Sequence, residues 1–201
     1  MNTQLFQGDW VRLTAANPET DAEAVARWTR DSELLRLMSP FPPLPITVGE
    51  AKADQERRAA RENYFGFAIR ALADDRLLGF ANLKQIAWTH GEACLGINIS
   101  EQADRGKGYG TDTLHVLLRY AFAELNLYRV SLEVFADNAR AIRSYEKAGF
   151  VVEGRLRQAV HRDGRRGDVI CMGVLREEWE KSQNLADPRS GAKGTNPKLQ
   201  N

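Results

Sequence analysis

Three alternate glycines near the middle of the chain join a predicted strand to a predicted helix. Residues 94–100 resemble a strand, residues 105–111 read Arg-Gly-Lys-Gly-Tyr-Gly-Thr, and apolar residues then recur at helical spacing. The apolar helix positions are Leu114, Leu117, Leu118, Ala121, Phe122 and Leu125. Glycine permits positive φ and carries no Cβ, and free N–H groups at a helix start bind phosphate oxygens. The turn is therefore predicted to hold an anion, with Arg105 and Lys107 adding positive charge.

The glycine spacing excludes two common phosphate-binding turns. A dinucleotide fingerprint needs glycine where this chain has Thr111, and a P-loop needs Lys-Ser or Lys-Thr after its last glycine. The pattern that fits is Q/R-x-x-G-x-G/A, with Arg105, Gly108 and Gly110 at the defined positions. It resembles the pyrophosphate-binding signature of the GNAT (general N-acetyltransferase) superfamily. The resemblance implies an acetyl-CoA site built from Arg105, Gly106, Lys107, Gly108, Tyr109, Gly110 and Thr111.

A second motif follows at residues 138–150. It matches the pattern N-x-x-A-x-x-x-Y-x-x-x-G-F that many GNAT proteins carry, through Asn138, Ala141, Tyr145 and Gly149-Phe150. Asn138 and Tyr145 are seven residues apart, which puts them on one helix face about 10 Å from each other. Each also has a plain structural interpretation, because Asn138 is a good N-cap and Tyr145 is a good core aromatic. The two motifs in family order favour the functional interpretation.

The resemblance also implies how acetyl-CoA is held and attacked. Pantetheine is expected to pair with the strand edge around Ile97 and Ile99, and Asn138 and Ala141 are expected to contact the cofactor. An amine attacks the acetyl carbonyl, and backbone N–H groups stabilise the oxyanion. Tyr145 matches the family's usual acid for the departing CoA sulfur.

The general base is the least determined part of the site. Many relatives have glutamate where this chain has Cys94, which is better explained as a small buried hydrophobe than as a nucleophile. Glu92, two residues earlier on the same strand face, is the candidate base, acting through a water. An exposed strand-end carboxylate is an equally good interpretation of Glu92. His161 is a weaker candidate, since a lone histidine on a strand is usually structural.

The acceptor is predicted only as a primary amine. The stretch from Glu153 to Met172 resembles a branch that holds ribosomal-protein alanine N-acetyltransferases and spermidine N-acetyltransferases. A polyamine pocket needs several carboxylates. Glu33, Glu50, Asp54 and Glu92 are available, but Arg57, Arg58 and Arg61 dilute their field. The sequence therefore favours a protein N-terminus or a small amine. A polyamine acceptor and a CoA-binding sensor without turnover remain as alternatives.

The predicted fold is a mixed α/β sheet. Patterning predicts about seven strands, mostly antiparallel with one parallel pair, and about four helices. The GNAT resemblance implies that the parallel pair is splayed around the cofactor. This order is also the one that the GNAT fold uses. One N-acetyltransferase domain is expected over residues 8–178. The polar residues 181–201 are expected to form a disordered tail.

Composition limits the location and the partners. The formal net charge of +1 offers no electrostatic surface for nucleic acid or for a membrane. The sequence has no signal-peptide core, so a cytoplasmic protein is expected. Cys94 and Cys171 are expected as buried thiols, and the three scattered histidines suggest no metal site. A homodimer is compatible with the sequence, which does not decide the oligomeric state.

Overall fold

The computed structural model describes residues 4–186 and contains one seven-stranded sheet. The strands are β1 (Val11–Thr14), β2 (Tyr64–Ala71), β3 (Leu77–Ala87), β4 (Glu92–Ile99), β5 (Arg129–Phe135), β6 (Val151–Arg162) and β7 (Arg165–Leu175). Their order across the sheet is β1-β2-β3-β4-β5-β7-β6. Every neighbouring pair is antiparallel except β4 and β5, which are parallel. The predicted mixed sheet with one parallel pair is confirmed.

Six α-helices lie within residues 4–186, where the sequence predicted about four. They are α1 (Pro18–Trp28), α2 (Ser32–Met38), α3 (Val48–Ala59), α4 (Tyr109–Arg119), α5 (Ala139–Lys147) and α6 (Arg176–Ala186). A π-helical turn, Tyr120–Glu124, continues α4. None of the helices in this range is long and apolar enough to cross a bilayer.

The two additional helices have local causes. The first predicted helix divides because Asp31 caps a new one, its side chain accepting from the Leu34 N–H at 3.1 Å. The other addition, α6, reaches into the predicted tail, so residues 181–186 are helical and not disordered. Residues 187–201 lie outside the described range. The domain extent of 8–178 stays a prediction.

The parallel pair is short and opens into a fork. β4 and β5 are in register only at Glu92–Arg129, Ala93–Val130 and Cys94–Ser131. Beyond Cys94, β4 runs on to Ile99 alongside β3, and β5 runs on to Phe135 alongside β7. The predicted divergence of these strands is confirmed. Among residues 4–186, one edge of β4 therefore has no partner strand beyond Cys94.

The core lies on one face of the fork. Leu95 of β4 and Val130 and Leu132 of β5 are buried there, in one cluster with the apolar side of α4. The predicted stripe Leu114, Leu117, Leu118, Ala121 and Phe122 is at most 1% exposed, and Leu125 is partly buried. Because one face is closed by α4, a ligand reaches the fork from its ends or from the opposite face.

Asp112, in the first turn of α4, ties the start of β1 to this helix. Its carboxylate accepts hydrogen bonds from the backbone N–H groups of Asp9, Trp10 and Val11 at 3.0, 2.7 and 2.9 Å. The carboxylate thus satisfies three backbone N–H groups that would otherwise need hydrogen-bond acceptors from a neighbouring strand. It connects the chain's first strand to the helix that begins at the glycine turn.

Asp112→Ala is expected to lower the free energy of unfolding by about 2 to 4 kcal/mol, since three N–H groups lose a charged acceptor. Urea denaturation measures the change. Glu146→Ala removes an exposed carboxylate from α5 and is the control, expected to change stability by about 0.5 kcal/mol at most. Equal effects in the two variants would show that the three hydrogen bonds contribute little.

Candidate active site

The glycine turn has the backbone that the sequence predicted. Gly106 and Gly108 have φ of +81° and +93°, and Gly108 is the N-cap of α4. A Cβ built on either residue would meet no described heavy atom within 4 Å, so the space beside both is open. The turn therefore presents the free N–H groups at the start of α4 to an unobstructed space.

Arg105 anchors the turn with a buried guanidinium, 6% exposed. It donates hydrogen bonds to the carbonyl oxygens of Ile99 and Ser100 at 3.2 and 2.8 Å, and it lies 3.7 Å from the Asp31 carboxylate. Its charge is committed to the end of β4 and to the segment before α2. These contacts favour a role for Arg105 in stabilising the turn over the predicted role of its charge in binding an anion.

Asp104 holds the other side of the turn. The Arg76 guanidinium binds its buried carboxylate, one hydrogen bond measuring 2.8 Å, and Lys107 lies 3.6 Å away. The hydrogen bond from Arg76 lowers the pKa of Asp104 below its usual value. This contact therefore stabilises the fold above the unfolded pKa of the carboxyl group, and the stabilisation is lost as pH falls through the lower folded value. Lys107 is partly committed to Asp104 and does not line the cleft described next.

A cleft of about 1540 Å³ joins the glycine turn, the fork and the surfaces of α1, α2 and α3. Ten of the predicted site residues line it: Ile97, Ile99, Arg105, Gly106, Gly108, Gly110, Thr111, Asn138, Ala141 and Tyr145. Glu92, Lys107 and Tyr109 do not line it. Within residues 4–186 no group of three or more His, Cys, Asp or Glu side chains is arranged to hold a metal ion.

The start of α5 lies against the glycine turn. Asn138 caps the helix by accepting from the Ala141 N–H at 3.2 Å, as its plain structural interpretation requires. The hydroxyl groups of Ser144 and Thr111 are 2.9 Å apart, and a Cβ on Gly110 would lie 3.7 Å from the Ser144 oxygen. These contacts bring the two sequence motifs together along one wall of the cleft.

Tyr145 enters the cleft from the core side of the fork. Its side chain is 8% exposed, and its ring packs edge-on against Phe150 with centroids 5.8 Å apart. Burial raises the pKa of the phenol to about 12, and the nearby Cys94 thiol adds to the shift. Tyr145 is thus both a core aromatic and a protonated hydroxyl group near the last paired rung of β4 and β5.

Glu92 lies at the closed end of the parallel pair, behind the fork. The Arg129 guanidinium donates to its carboxylate at 3.1 Å, and the Ser131 hydroxyl group donates at 3.3 Å. Arg129 also binds Glu153 on β6. A carboxylate held in this ion pair and outside the cleft lining is poorly arranged to accept a proton from a substrate. Its role as the base stays a prediction that the geometry does not favour.

Glu133 is an exposed carboxylate in the cleft that the sequence interpretation overlooked. It lies two residues beyond Ser131 on β5 and so points to the same face as Cys94. No ion pair or hydrogen bond joins its carboxylate to another residue in the described part of the chain. The alternation of residues 129–135, combined with the predicted parallel pair, was a sufficient signal to find it.

The two cysteines are free and half-buried, and both line the cleft. Burial raises the pKa of Cys94 and of Cys171, and the negative charge of Glu133 contributes to both shifts. Thiols with raised pKa values are poor nucleophiles. The prediction of free thiols in place of a disulfide is confirmed, although each side chain is only partly buried. Glu133 is in register with Cys171 on β7 and lies on the sheet face of Cys94, so its carboxylate is on the same side of the sheet as both sulfur atoms.

Comparison with known sequences gives a consistent set of relatives. The family profile described as "Acetyltransferase (GNAT) domain" matches residues 11–151. The uncharacterized N-acetyltransferase YokL from the SPbeta prophage of Bacillus subtilis is 28% identical over 90% of this chain and 98% of its own length. Spermidine N(1)-acetyltransferase of Vibrio cholerae is 34% identical over 53% of this chain and 61% of its own length. The putative ribosomal N-acetyltransferase YdaF of Bacillus subtilis is 30% identical over 57% of this chain and 62% of its own length.

Comparison with solved structures shows the same fold. The crystal structure of spermidine N-acetyltransferase from Vibrio cholerae, in complex with CoA and spermine, has a TM-score of 0.76 and 24% identity. The likeness covers 85% of this chain and 98% of that one. A probable GNAT acetyltransferase from Chromobacterium violaceum has a TM-score of 0.73 and 25% identity, covering 87% of each chain. The overall fold is therefore shared with these proteins.

Proposed function

This chain belongs to the GNAT acetyltransferase family as an acetyl-CoA-dependent N-acetyltransferase, and we propose that it acetylates a primary amine by direct attack in a ternary complex. One observation carries the proposal. The fork between β4 and β5 opens beside the glycine turn, with the Tyr145 phenol on one face of its apex and the Glu133 carboxylate on the other. A thioester held in the fork then has an acid on one side and a base on the other.

The cofactor is proposed to follow the cleft from the glycine turn into the fork. The free N–H groups at the start of α4 bind the pyrophosphate, helped by the helix dipole. The unpaired edge of β4 around Ile97 and Ile99 offers backbone hydrogen bonds to the two amides of pantetheine. Asn138 and Ala141, at the start of α5, flank the same path.

The transfer itself moves one acetyl group and two protons. The amine lone pair attacks the thioester carbonyl carbon, and backbone N–H donors stabilise the resulting oxyanion. Glu133 accepts a proton from the attacking nitrogen. The carbon–sulfur bond then breaks, and Tyr145 donates its proton to the CoA thiolate. The raised pKa of Tyr145 keeps that proton in place at neutral pH.

Charge in the cleft supports an acceptor with one amine near the reacting centre. Three of its acidic residues are already paired, Asp54 with Arg58 at 2.6 Å, Asp104 with Arg76, and Glu153 with Arg129. Glu133 is the acidic lining residue without such a pair among the described residues. A protein N-terminus or a small monoamine fits one free carboxylate better than a polyamine with several ammonium groups.

A polyamine acceptor is the second candidate, and the relatives favour it. Spermidine N(1)-acetyltransferase of Vibrio cholerae has a higher identity than the other two named relatives, and a solved spermidine N-acetyltransferase holds CoA and spermine. A CoA-binding module without turnover is the remaining rival, motivated by Cys94 in place of the common family glutamate.

Thiol release from acetyl-CoA separates these functions. The acceptors are peptides with free N-termini, N-acetylated peptides as controls, small monoamines and spermidine, each product being checked by mass. We expect kcat/KM to be highest for a peptide or a monoamine. The highest value for spermidine would assign the site to polyamines. Tight CoA binding without any acetylated product would identify a binding module.

Tyr145→Phe is expected to lower kcat roughly 10- to 10³-fold with little change in stability, because only the proton donor is removed. The ratio of wild-type to mutant kcat should stay constant over roughly pH 6 to 10, since the phenol is protonated throughout this range. Steady-state kinetics across pH measures both. Equal turnover in the two proteins would make Tyr145 a packing residue.

A further inference from the structure

A row of side chains crosses the sheet on the face opposite the core and ends at the fork. It begins at Tyr64 of β2, which is in register with Lys84 of β3. Lys84 is in register with Cys94 of β4, and Cys94 with Ser131 of β5. Directly opposite residues on neighbouring strands share a face, with Cβ atoms about 5 Å apart. All four residues line the cleft, so Lys84 lies one strand and Tyr64 two strands from the last rung of the fork.

The Tyr64 ring covers Gly66, the next residue on this face of β2. A Cβ built on Gly66 would lie 2.5 Å from the Tyr64 Cε1 atom and 3.1 Å from its hydroxyl oxygen. The glycine therefore allows the ring to lean along the sheet in place of a second side chain. Because Tyr64 is half-buried and lines the cleft, it offers an aromatic surface to a ligand there.

The helices that cover this face are apolar where they meet the cleft. Trp28 of α1 packs edge-on against Phe80 of β3, with ring centroids 6.2 Å apart, and Phe80 lies on the same sheet face as Lys84. The Trp28 indole N–H donates to Glu101 at 2.7 Å, so its polar group is already satisfied. The cleft residues of α1 and α2 are Val25, Trp28, Leu34, Leu35, Leu37 and Met38. An apolar group can therefore be enclosed between these helices and the sheet.

The charges beside the Tyr64 ring are positive or already paired. Lys84 is exposed, and within residues 4–186 no ion pair or hydrogen bond joins its ammonium group to another residue. The Arg58 guanidinium interacts with the Tyr64 hydroxyl group and binds the Asp54 carboxylate at 2.6 Å. A further positive charge on a ligand is disfavoured in this part of the cleft, whereas an oxygen atom can accept a hydrogen bond from Lys84.

We infer that this row selects an acceptor with an α-amino-acyl group and an apolar side chain, an assignment that rests on the acetyl transfer proposed above. The amine attacks the thioester at the fork, the acyl oxygen accepts a hydrogen bond from Lys84, and the side chain packs on Tyr64. Tyr64 is about 10 Å from Cys94 across the sheet, a distance that its ring and the acceptor side chain bridge between them. A free amino acid and a peptide N-terminus share this chemistry.

Lys84 also favours the reactive form of the acceptor. A positive charge near an amine disfavours its protonated state, and only the neutral amine can attack the thioester. A basic acceptor side chain directed toward Tyr64 would instead meet both Lys84 and Arg58. The row therefore discriminates by the group beside the amine, and it disfavours a polyamine.

A set of matched amines tests the assignment with the full-length protein. Phenylalaninamide carries the amine, the oxygen and the apolar group. Phenethylamine lacks the oxygen, alaninamide lacks the large apolar group, and argininamide replaces that group by a cation. We expect kcat/KM for phenylalaninamide to exceed each of the other three about tenfold or more. Free phenylalanine and a peptide that begins with phenylalanine then distinguish the two sources of the acceptor.

Two substitutions assign the preferences to single residues. Tyr64→Thr keeps a good strand former and should lower the preference for phenylalaninamide over alaninamide about tenfold. Lys84→Met keeps the length of the side chain and should lower the preference for phenylalaninamide over phenethylamine about tenfold. KM for acetyl-CoA should stay within about twofold of wild type in both variants.

The controls are Tyr128→Thr and Lys181→Met, which change exposed residues outside the cleft lining and should retain both preferences. If Tyr64→Thr does not fold, Gly66→Ala is judged by the same criterion, because its Cβ would displace the ring.

An unchanged preference in Tyr64→Thr would overturn the assignment of the apolar group. An equal loss of kcat/KM for phenylalaninamide and phenethylamine in Lys84→Met would overturn the contact with the acyl oxygen, since the ammonium group would then act on the thioester. A higher kcat/KM for argininamide or phenethylamine than for phenylalaninamide in wild-type protein would overturn the acceptor class. Each of these results leaves acetyl transfer intact, whereas absence of any acetylated amine would reject the proposed function itself.

Discussion

Glu133→Gln is expected to lower kcat for amine acetylation about 10² to 10⁴-fold, the usual contribution of a general base. The substitution keeps the shape of the side chain and removes its ability to take a proton. CoA affinity should stay within about twofold, because Glu133 lies on the face of the fork opposite the core and no described residue is hydrogen-bonded to its carboxylate. Steady-state kinetics with a saturating acceptor measures the loss.

Glu92→Gln decides between the two candidate bases. Glu92→Gln makes the same chemical change as Glu133→Gln, but the Glu92 carboxylate is held by Arg129 behind the fork. If Glu133 is the base, the Glu92→Gln variant should lose stability through the weakened ion pair and keep most of its kcat. A loss of kcat confined to the Glu92→Gln variant would restore the sequence-based assignment and exclude Glu133.

Gly108→Val is expected to weaken acetyl-CoA binding by about 100-fold or more while the protein remains folded. A side chain at this position points into the open space beside the turn, where no described atom lies within 4 Å, and it would block the pyrophosphate in the proposed site. Valine at φ of +93° also strains the backbone by about 1 to 3 kcal/mol. Calorimetry with CoA measures the binding, and circular dichroism checks the fold.

Gly164→Val separates backbone strain from obstruction of the site. Gly164 lies in the turn between β6 and β7, has φ of +73°, and likewise has no described atom near a built Cβ. The two variants should lose similar stability, whereas Gly164→Val should bind CoA within about twofold of wild type. Matching affinities for Gly108→Val and Gly164→Val would remove the glycine turn from the cofactor site.

Local chemistry determined much of the fold, and the backbone of the glycine turn, from sequence. Positive φ at Gly106 and Gly108, the apolar stripe of α4 and the Asn138 cap follow from residue types and their spacing over one or two turns. The parallel β4–β5 pair follows from strand, helix and strand in succession. These features depend on neighbours close in sequence, so the pattern was sufficient to predict them.

Helix boundaries were harder to predict from sequence, because one capping side chain or a few apolar contacts determine where a helix begins or ends. The first helix ends at Trp28 and Asp31 caps the next one, and the polar residues after Lys181 continue α6 through Ala186. In this segment a disordered tail and an amphipathic helix would have similar amino-acid compositions. Trp179, packed against the core, is the contact that distinguishes them.

Charge pairing was decided by the tertiary structure alone. The alternation of β4 places Glu92 and Cys94 on one face, but only the sheet order brings Arg129 and then Glu153 beside Glu92 and leaves Glu133 unpaired at the fork. The commitment of Arg105 to the end of β4 has the same origin. Sequence patterning identifies the face on which an ionisable group lies. Its electrostatic role depends on partners from distant segments, because a charge interacts with whatever the fold brings within a few ångströms of it.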